Sequence, residues 1–115
     1  MRPASRALIA DAIRALRAIE EFIRGASRDD YLREPILRSA VGRQFLIVGE
    51  ALSQLRRTDA DPANRISGFA EATGLRNVLA HSYAVADDDL IWQTAKSDAP
   101  DLLRELTALI AEEDQ

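Results

Sequence analysis

The chain has 115 residues but no cysteine, and it contains only one histidine, one lysine and one tryptophan. Without cysteine it can form no disulfide and no thiolate zinc site, and it cannot use a cysteine nucleophile. A single histidine excludes a histidine-rich metal site within one chain. Aromatic residues make up 5% of the sequence, and Tyr31 and Trp92 are expected in the core or at its boundary rather than as platforms for stacked bases. The composition leaves room for one small site.

Long apolar runs are also absent. Within the first 23 residues every apolar stretch is interrupted by charge, at Arg6, Asp11, Arg14, Arg17 and Glu20. This pattern is typical neither of a signal peptide nor of a membrane-spanning helix. Because the length suits one hydrophobic core, the sequence predicts a single cytoplasmic domain over residues 1–115, with no membrane anchor.

Charge is distributed unevenly along the chain, although the net charge is only −4. Residues 1–57 carry eleven arginines against seven acids, whereas residues 58–115 carry four basic residues against twelve acids. Nearly all of the positive charge is guanidinium, which suits bidentate contacts with phosphate, so the first half is suited to a polyanion. The alternative is that these arginines lie on ordinary solvated helix faces. The sequence leaves both interpretations open.

Apolar residues recur at steps of three and four, and no segment alternates in the two-residue rhythm of a strand. The sequence therefore predicts an all-α fold, an antiparallel bundle of four to five helices. The expected helices are 4–24, a short one capped by Ser27, 34–57, 67–80, a short one containing Trp92, and a last one opened by Asp98 and Pro100. The segment Thr58–Arg65 is expected to be a loop, and Gly74 is expected to let a neighbouring helix approach closely.

Two of these helices carry features beyond a buried stripe. On the first helix, Arg6, Arg17 and Arg24 project to one side with Arg14 near them, and they form a basic ridge. On the long central helix, residues 45–48 are apolar on every side. Such a turn contacts either a second subunit or an enclosing bundle. The sequence thus indicates a homodimer, while a fully enclosed central helix stays open as the alternative.

Glu50 interrupts this central apolar helix. An unpaired carboxylate in apolar surroundings is strongly destabilising, so Glu50 is expected to pair with Arg76 or His81. The pair would either bridge two helices or orient a functional side chain. We keep Glu50 outside the catalytic set.

The octapeptide from Arg76 to Tyr83 is the segment suited to chemistry, because it holds the only histidine, His81, close to Arg76, Asn77 and Tyr83. Imidazole exchanges protons near neutral pH and guanidinium binds phosphate oxygens, so the combination suits cleavage of a phosphodiester. Taken singly, His81 would be a helix cap and Arg76 a surface charge. Arg76 and His81 are separated by about 140° on a regular helix, so either Arg76 reaches around or the helix breaks.

Written as R-N-x-x-x-H-x-Y, the octapeptide resembles the R-x4-H-x-Y signature of the HEPN superfamily and, within it, the small HepT-like toxins. The neighbouring segments are similar in order. A helix with the sequence V-G-E-A at residues 48–51 precedes the motif, Trp92 follows it, and residues 98–103 open a last apolar helix. The resemblance covers nearly the whole chain.

The resemblance implies an endoribonuclease that needs neither a metal nor another cofactor and cleaves RNA in a composite cleft between two protomers. The dimer would form through the central helix and the motif helix. His81 would transfer protons, Arg76 would bind the scissile phosphate, and Asn77 would orient the phosphate or the imidazole. These roles are what the resemblance implies.

The resemblance also implies a partner and a modification. A minimal nucleotidyltransferase of the MntA type, encoded beside the protein as its antitoxin, would attach AMP to Tyr83 in a pair like the type VII toxin–antitoxin systems. The added charge and bulk would block the phosphate site. The expected partners are RNA, this nucleotidyltransferase and a second copy of the chain, with a larger hetero-oligomer as an extension.

Two other interpretations stay open. In the first, the chain is a non-catalytic HEPN subunit that binds a nucleotidyltransferase. In the second, it is a plain helical dimerisation domain. Loss of RNA cleavage in His81→Ala would separate the ribonuclease from both.

Overall fold

The computed structural model describes residues 1–81 and 87–114, without the side chains of residues 78, 80 and 81. The described residues form a π-helical turn at Thr94–Asp98 and the following α-helices: α1 (Pro3–Ile23), α2 (Arg28–Arg33), α3 (Pro35–Thr58), α4 (Ala60–Asn64), α5 (Phe69–His81), α6 (Asp88–Gln93) and α7 (Ala99–Glu113). The four longer helices α1, α3, α5 and α7 form the bundle. The predicted all-α class is confirmed.

Helices α1 and α3 pack antiparallel at the centre. The stripe predicted on α1 is buried in full: Ile9, Ala12, Ile13, Leu16, Ile19 and Ile23. Near the start of α1, the Arg2 guanidinium donates to the Thr58 carbonyl at 2.8 Å, and the Ser5 hydroxyl donates to the Asp59 carboxylate at 2.7 Å. These bonds join the first turn of α1 to the end of α3, and burial of the stripe supplies most of the stabilisation.

Between α1 and α3, the chain turns through a capping box. Gly25 has φ 77°, a left-handed conformation that glycine adopts without strain. The Ser27 hydroxyl then accepts from the Asp30 amide, and the Asp30 carboxylate accepts from the Ser27 amide, both at 3.0 Å. The second bond stabilises the ionised carboxylate and lowers the pKa of Asp30. The predicted cap at Ser27 is confirmed.

Helix α7 closes the bundle against α1, running antiparallel to it. Leu102, Leu106 and Leu109 are buried in the core. At the end of α7, Asp114 pairs with Arg6 at 2.5 Å. None of the helices in the described part of the chain combines the length and apolar character needed to cross a membrane.

One sequence prediction about this part of the fold is wrong. The expected loop Thr58–Arg65 contains the helix α4, whose five residues are too few to show an apolar period and accommodate Pro62 in the first turn. The last helix begins directly after Asp98 with Pro100 in its first turn, as predicted, but Asp98 makes no cap bond because the preceding π-helical turn is already helical. Asp87 caps the start of α6, where its side chain accepts from the Leu90 amide at 3.1 Å.

Tyr31 and Trp92 both lie in the core, as expected. Tyr31 is fully buried, Trp92 is 8% exposed, and their ring centroids are 5.3 Å apart. The Tyr31 hydroxyl has no hydrogen-bond partner among the described residues. Burial disfavours the tyrosinate form and raises the pKa of Tyr31 to about 12, with Asp88 adding to the effect.

Tyr31 is therefore expected to ionise near pH 12 in the folded protein. The neutral form is preferred on folding, so its contribution to stability is complete below pH 10, the ordinary tyrosine value, and is lost as the pH rises towards 12. Ultraviolet titration of Tyr83→Phe measures this directly, since Tyr31 is then the only tyrosine. Ionisation near pH 10, with the helical circular dichroism intact, would contradict the prediction. Tyr31→Phe is the matched control.

Candidate functional site

Helix α5 positions the motif by packing antiparallel against α3. At one end of the contact, Arg56 lies over the Phe69 ring at 5.0 Å from its centroid. Further along, a Cβ atom built at Gly49 would lie 2.2 Å from the Arg76 Cβ, whereas one built at Gly42 would lie 3.9 Å from the Leu79 side chain. The helices are therefore closest at Gly49, directly beside Arg76.

This finding replaces the prediction made for Gly74. Among the residues that the structure describes, no atom of a neighbouring helix lies within 4 Å of a Cβ atom built at Gly74, so that glycine does not support a close approach. Gly49 does, because the backbone of α3 has no side chain where Arg76 crosses it. The sequence contains both glycines in helices, and only the packing distinguishes them.

The Arg76 guanidinium is held by two neighbours. Its Nε and Nη2 donate to one oxygen of Glu50 at 3.1 and 2.7 Å, and its Nη1 donates to the Asn77 side-chain oxygen at 3.0 Å. The predicted pairing of Glu50 with Arg76 is confirmed. The premise that Glu50 is buried is wrong, because its side chain is 52% exposed on the surface of α3.

Two N–H groups of the Arg76 guanidinium take no part in these bonds. A guanidinium has five N–H groups in a fixed plane, and Glu50 and Asn77 use three of those of Arg76. The remaining two, one on Nη1 and one on Nη2, bond to no other residue that the structure describes, and guanidinium N–H groups of this kind bind phosphate oxygens. The Arg76 side chain is one-third exposed, so this site is partly accessible to solvent.

Arg57 is a neighbour of the site that the sequence analysis did not identify. Its Nη2 lies 3.9 Å from the second oxygen of Glu50, so one carboxylate lies between two arginines. The available signal was the seven-residue spacing of Glu50 and Arg57 on a predicted helix, which is close to two full turns.

The described backbone places His81 at the last position of α5. The helix does not break between Arg76 and His81, so the two positions are separated by about 140° and about 7.5 Å along the axis. Asn77 and His81 are one turn apart on one face. That the His81 imidazole and the Arg76 guanidinium form one site stays a prediction, because the His81 side chain lies outside the described part of the chain. Tyr83 also lies outside it.

Known proteins resemble the chain as follows. Residues 12–109 match the family described as ribonuclease HepT-like. A protein of Thermococcus cleftensis provisionally named ribonuclease HepT is 29% identical over 102 residues, which cover 89% of this chain and 92% of that protein. A protein of Caldanaerobacter subterraneus provisionally named an RNase is 27% identical over 93 residues, covering 81% of this chain and 82% of that protein.

A longer relative also matches. A Methanocaldococcus jannaschii protein named as a gamma-glutamylcyclotransferase and provisional RNase is 29% identical over 103 residues. Those residues cover 90% of this chain but 46% of that protein, so the chain spans less than half of this relative. No solved structure matches the chain.

Proposed function

Since the chain belongs to the HepT-like ribonuclease family, we propose that it is a metal-independent endoribonuclease and the toxin of a toxin–antitoxin pair. The observation that supports this most directly is the arrangement of Arg76, which Glu50 and Asn77 hold while two of its N–H groups stay available. A guanidinium fixed in this way is prepared to bind a phosphodiester without reorganisation.

The proposed reaction needs a base, an acid and a cation. The base removes the proton from the 2′-hydroxyl, whose oxygen attacks the adjacent phosphorus, and the bond from phosphorus to the 5′-oxygen breaks. The acid gives a proton to that leaving oxygen, so the products carry a 2′,3′-cyclic phosphate and a 5′-hydroxyl. Arg76 stabilises the negative charge on the phosphoryl oxygens, Asn77 orients the site, and His81 exchanges the protons.

A single His81 imidazole cannot act as both the base and the acid in one step. The proposal therefore includes a homodimer with a composite site. A two-fold axis beside the end of α5 brings two copies of His81 and Arg76 together. The surface of α3 supports this arrangement. Near the start of α3, Ile36 is 86% exposed and offers an apolar contact to a second copy.

The test of the function is cleavage of RNA in EDTA by protein purified without its antitoxin. We expect RNA to be cut, DNA of the same sequence to stay intact, and the products to end in a 2′,3′-cyclic phosphate. His81→Ala, purified identically, shows whether a contaminating ribonuclease is responsible. If pure unmodified protein leaves RNA intact, the chain is instead a binding subunit for a nucleotidyltransferase.

Inhibition is proposed to occur when a minimal nucleotidyltransferase transfers AMP from ATP to the Tyr83 oxygen, with pyrophosphate as the leaving group. We expect wild-type protein incubated with this enzyme, ATP and Mg²⁺ to gain AMP and lose ribonuclease activity, because negative charge beside His81 repels the substrate phosphate. Tyr83→Phe is expected to gain no AMP and to keep its activity, as measured by intact mass and RNA cleavage. The other tyrosine supplies the matched control, since Tyr31 is buried. Full inhibition of Tyr83→Phe with AMP attached elsewhere would contradict this assignment.

A further inference from the structure

Two more arginines share a face of α3 with the carboxylate that holds Arg76. Arg43 and Arg57 stand seven residues before and after Glu50, so the three positions lie within about 40° of one another around the helix. Arg43 and Arg57 are both exposed. We call Arg43, Arg76 and Arg57 the arginine row. It extends along about 21 Å of α3, from position 43 to position 57.

The direction of α5 places Arg76 in the middle of this row. Leu79 of α5 lies beside Gly42, and Phe69 lies beneath Arg56. The row therefore begins with Arg43, near the end of α5 that carries the motif histidine, and finishes with Arg57, near the start of α5. A strand bound at Arg76 can thus continue along the groove between α3 and α5 in both directions.

The arginine row has little acidic counter-charge. Within the described ranges, Arg57 and Arg76 share the single carboxylate of Glu50, and Arg43 has no acidic partner. Three positive charges are therefore opposed by one negative charge. The contact from Arg57 to Glu50 is long, at 3.9 Å, and both side chains are more than half exposed. An ion pair of this kind contributes little to stability, so a phosphate replaces the Glu50 carboxylate beside Arg57 at little cost in free energy.

On the basic ridge predicted on α1, by contrast, most arginines have an acid of their own beside them. Three of its four arginines pair with an acid: Arg6 with Asp114, Arg14 with Asp11, and Arg24 with Glu21. The acids of the second half also balance part of the arginine excess of the first half, because Asp114, Asp89 and Asp88 pair with Arg6, Arg28 and Arg38. Arg17 is the member of the ridge without an acidic partner in the described part of the chain, whereas the arginine row sets three arginines against the one carboxylate of Glu50.

We propose that Arg43 and Arg57 bind backbone phosphates on either side of the phosphate held by Arg76, so that each protomer guides one RNA strand along α3. This inference rests on the proposed ribonuclease function and extends it from one phosphodiester to a longer footprint. Phosphate contacts position a strand without reading its sequence. The arginine row therefore sets how much RNA the protein covers, and the choice of cleavage site depends on other contacts.

The salt dependence of binding tests this inference. The probe is a fluorescent 2′-O-methyl oligouridylate, which has no free 2′-hydroxyl and so stays uncut by wild-type protein. For single strands, each lost phosphate contact reduces the slope of log K against log salt by about 0.7. We expect that reduction for Arg43→Gln and for Arg57→Gln, and about 1.4 for the double variant. Arg104→Gln, whose arginine already pairs with Asp101 on α7, is expected to keep the wild-type slope.

The outcomes separate this inference from the proposed function. Unchanged slopes in both α3 variants of a protein that cleaves RNA would overturn the arginine row and leave the ribonuclease intact. The row would also be overturned if only one of the two positions changed the slope, or if Arg104→Gln lowered it equally. Reduced slopes in a protein that cuts no RNA would support the row and reject the nuclease.

Discussion

Replacement of His81 by alanine is expected to lower the single-turnover rate of RNA cleavage by about 10²–10⁴-fold. The reason is that the proposed reaction takes both its base and its acid from the two copies of this side chain. Arg76, held by Glu50 and Asn77, would still bind the substrate, so we expect RNA binding to change much less than the rate. The measurement is cleavage in EDTA with enzyme in excess over RNA, next to a binding assay with uncleavable RNA.

Misfolding can be distinguished from loss of chemistry in this experiment. His81 is the last residue of α5, and alanine is a good helix former, so the variant is expected to melt close to the wild-type temperature.

Mixed dimers then test the composite site. If the two histidines act together, a dimer of one wild-type and one His81→Ala chain is nearly as inactive as the double variant. A mixed dimer with half of the wild-type activity would instead indicate independent sites.

Substitution of Gly49 by alanine is expected to lower the free energy of unfolding by about 1–3 kcal/mol, the usual cost of overpacking a core contact. The new Cβ atom would lie 2.2 Å from the Arg76 Cβ and 3.2 Å from the carbonyl oxygen of Ala72. Neither is the end of a flexible side chain, so α5 has to move away from α3. Because that movement carries Arg76 with it, activity is expected to fall as well, since a displacement of about 1 Å costs about 10²-fold.

Gly74 provides the matched control, as a glycine within α5 that has open space around it. There the same change is expected to raise the free energy of unfolding by about 0.5–1 kcal/mol, because glycine is unfavourable inside a helix. Urea denaturation followed by circular dichroism measures both variants. Equal effects at Gly49 and Gly74, in either direction, would mean that α3 and α5 do not meet closely at Arg76.

The parts of the fold that the sequence predicted are those governed by local spacing. The apolar stripe of α1 and the extent of α3 follow from a period that persists over five or more turns. The cap at Ser27 follows from two side chains three residues apart. The pairing of Glu50 with Arg76 was predicted correctly but from a wrong premise, since Glu50 was expected to lie in apolar surroundings and its side chain is 52% exposed.

The sequence could not predict the features that depend on where two helices cross. The close approach expected at Gly74 lies at Gly49, for which there was no expectation from the sequence, since a close approach is fixed by the crossing point of two helices. Arg57 has no local pattern that distinguishes it from other arginines, and only the position of Glu50 marks it. Helix α4 has five residues, fewer than two turns, so its sequence resembles a loop.

The packing of α7 against α1 also affects how the protein is made. Chains fold from the first residues onwards during synthesis, and α1, α3 and α5 are available before α7. Yet Leu106 and Leu109 complete the core, and Asp114 pairs with Arg6, across almost the full length of the chain. Contacts of such long sequence separation form late. The nascent chain therefore closes this bundle only once α7 has left the ribosome.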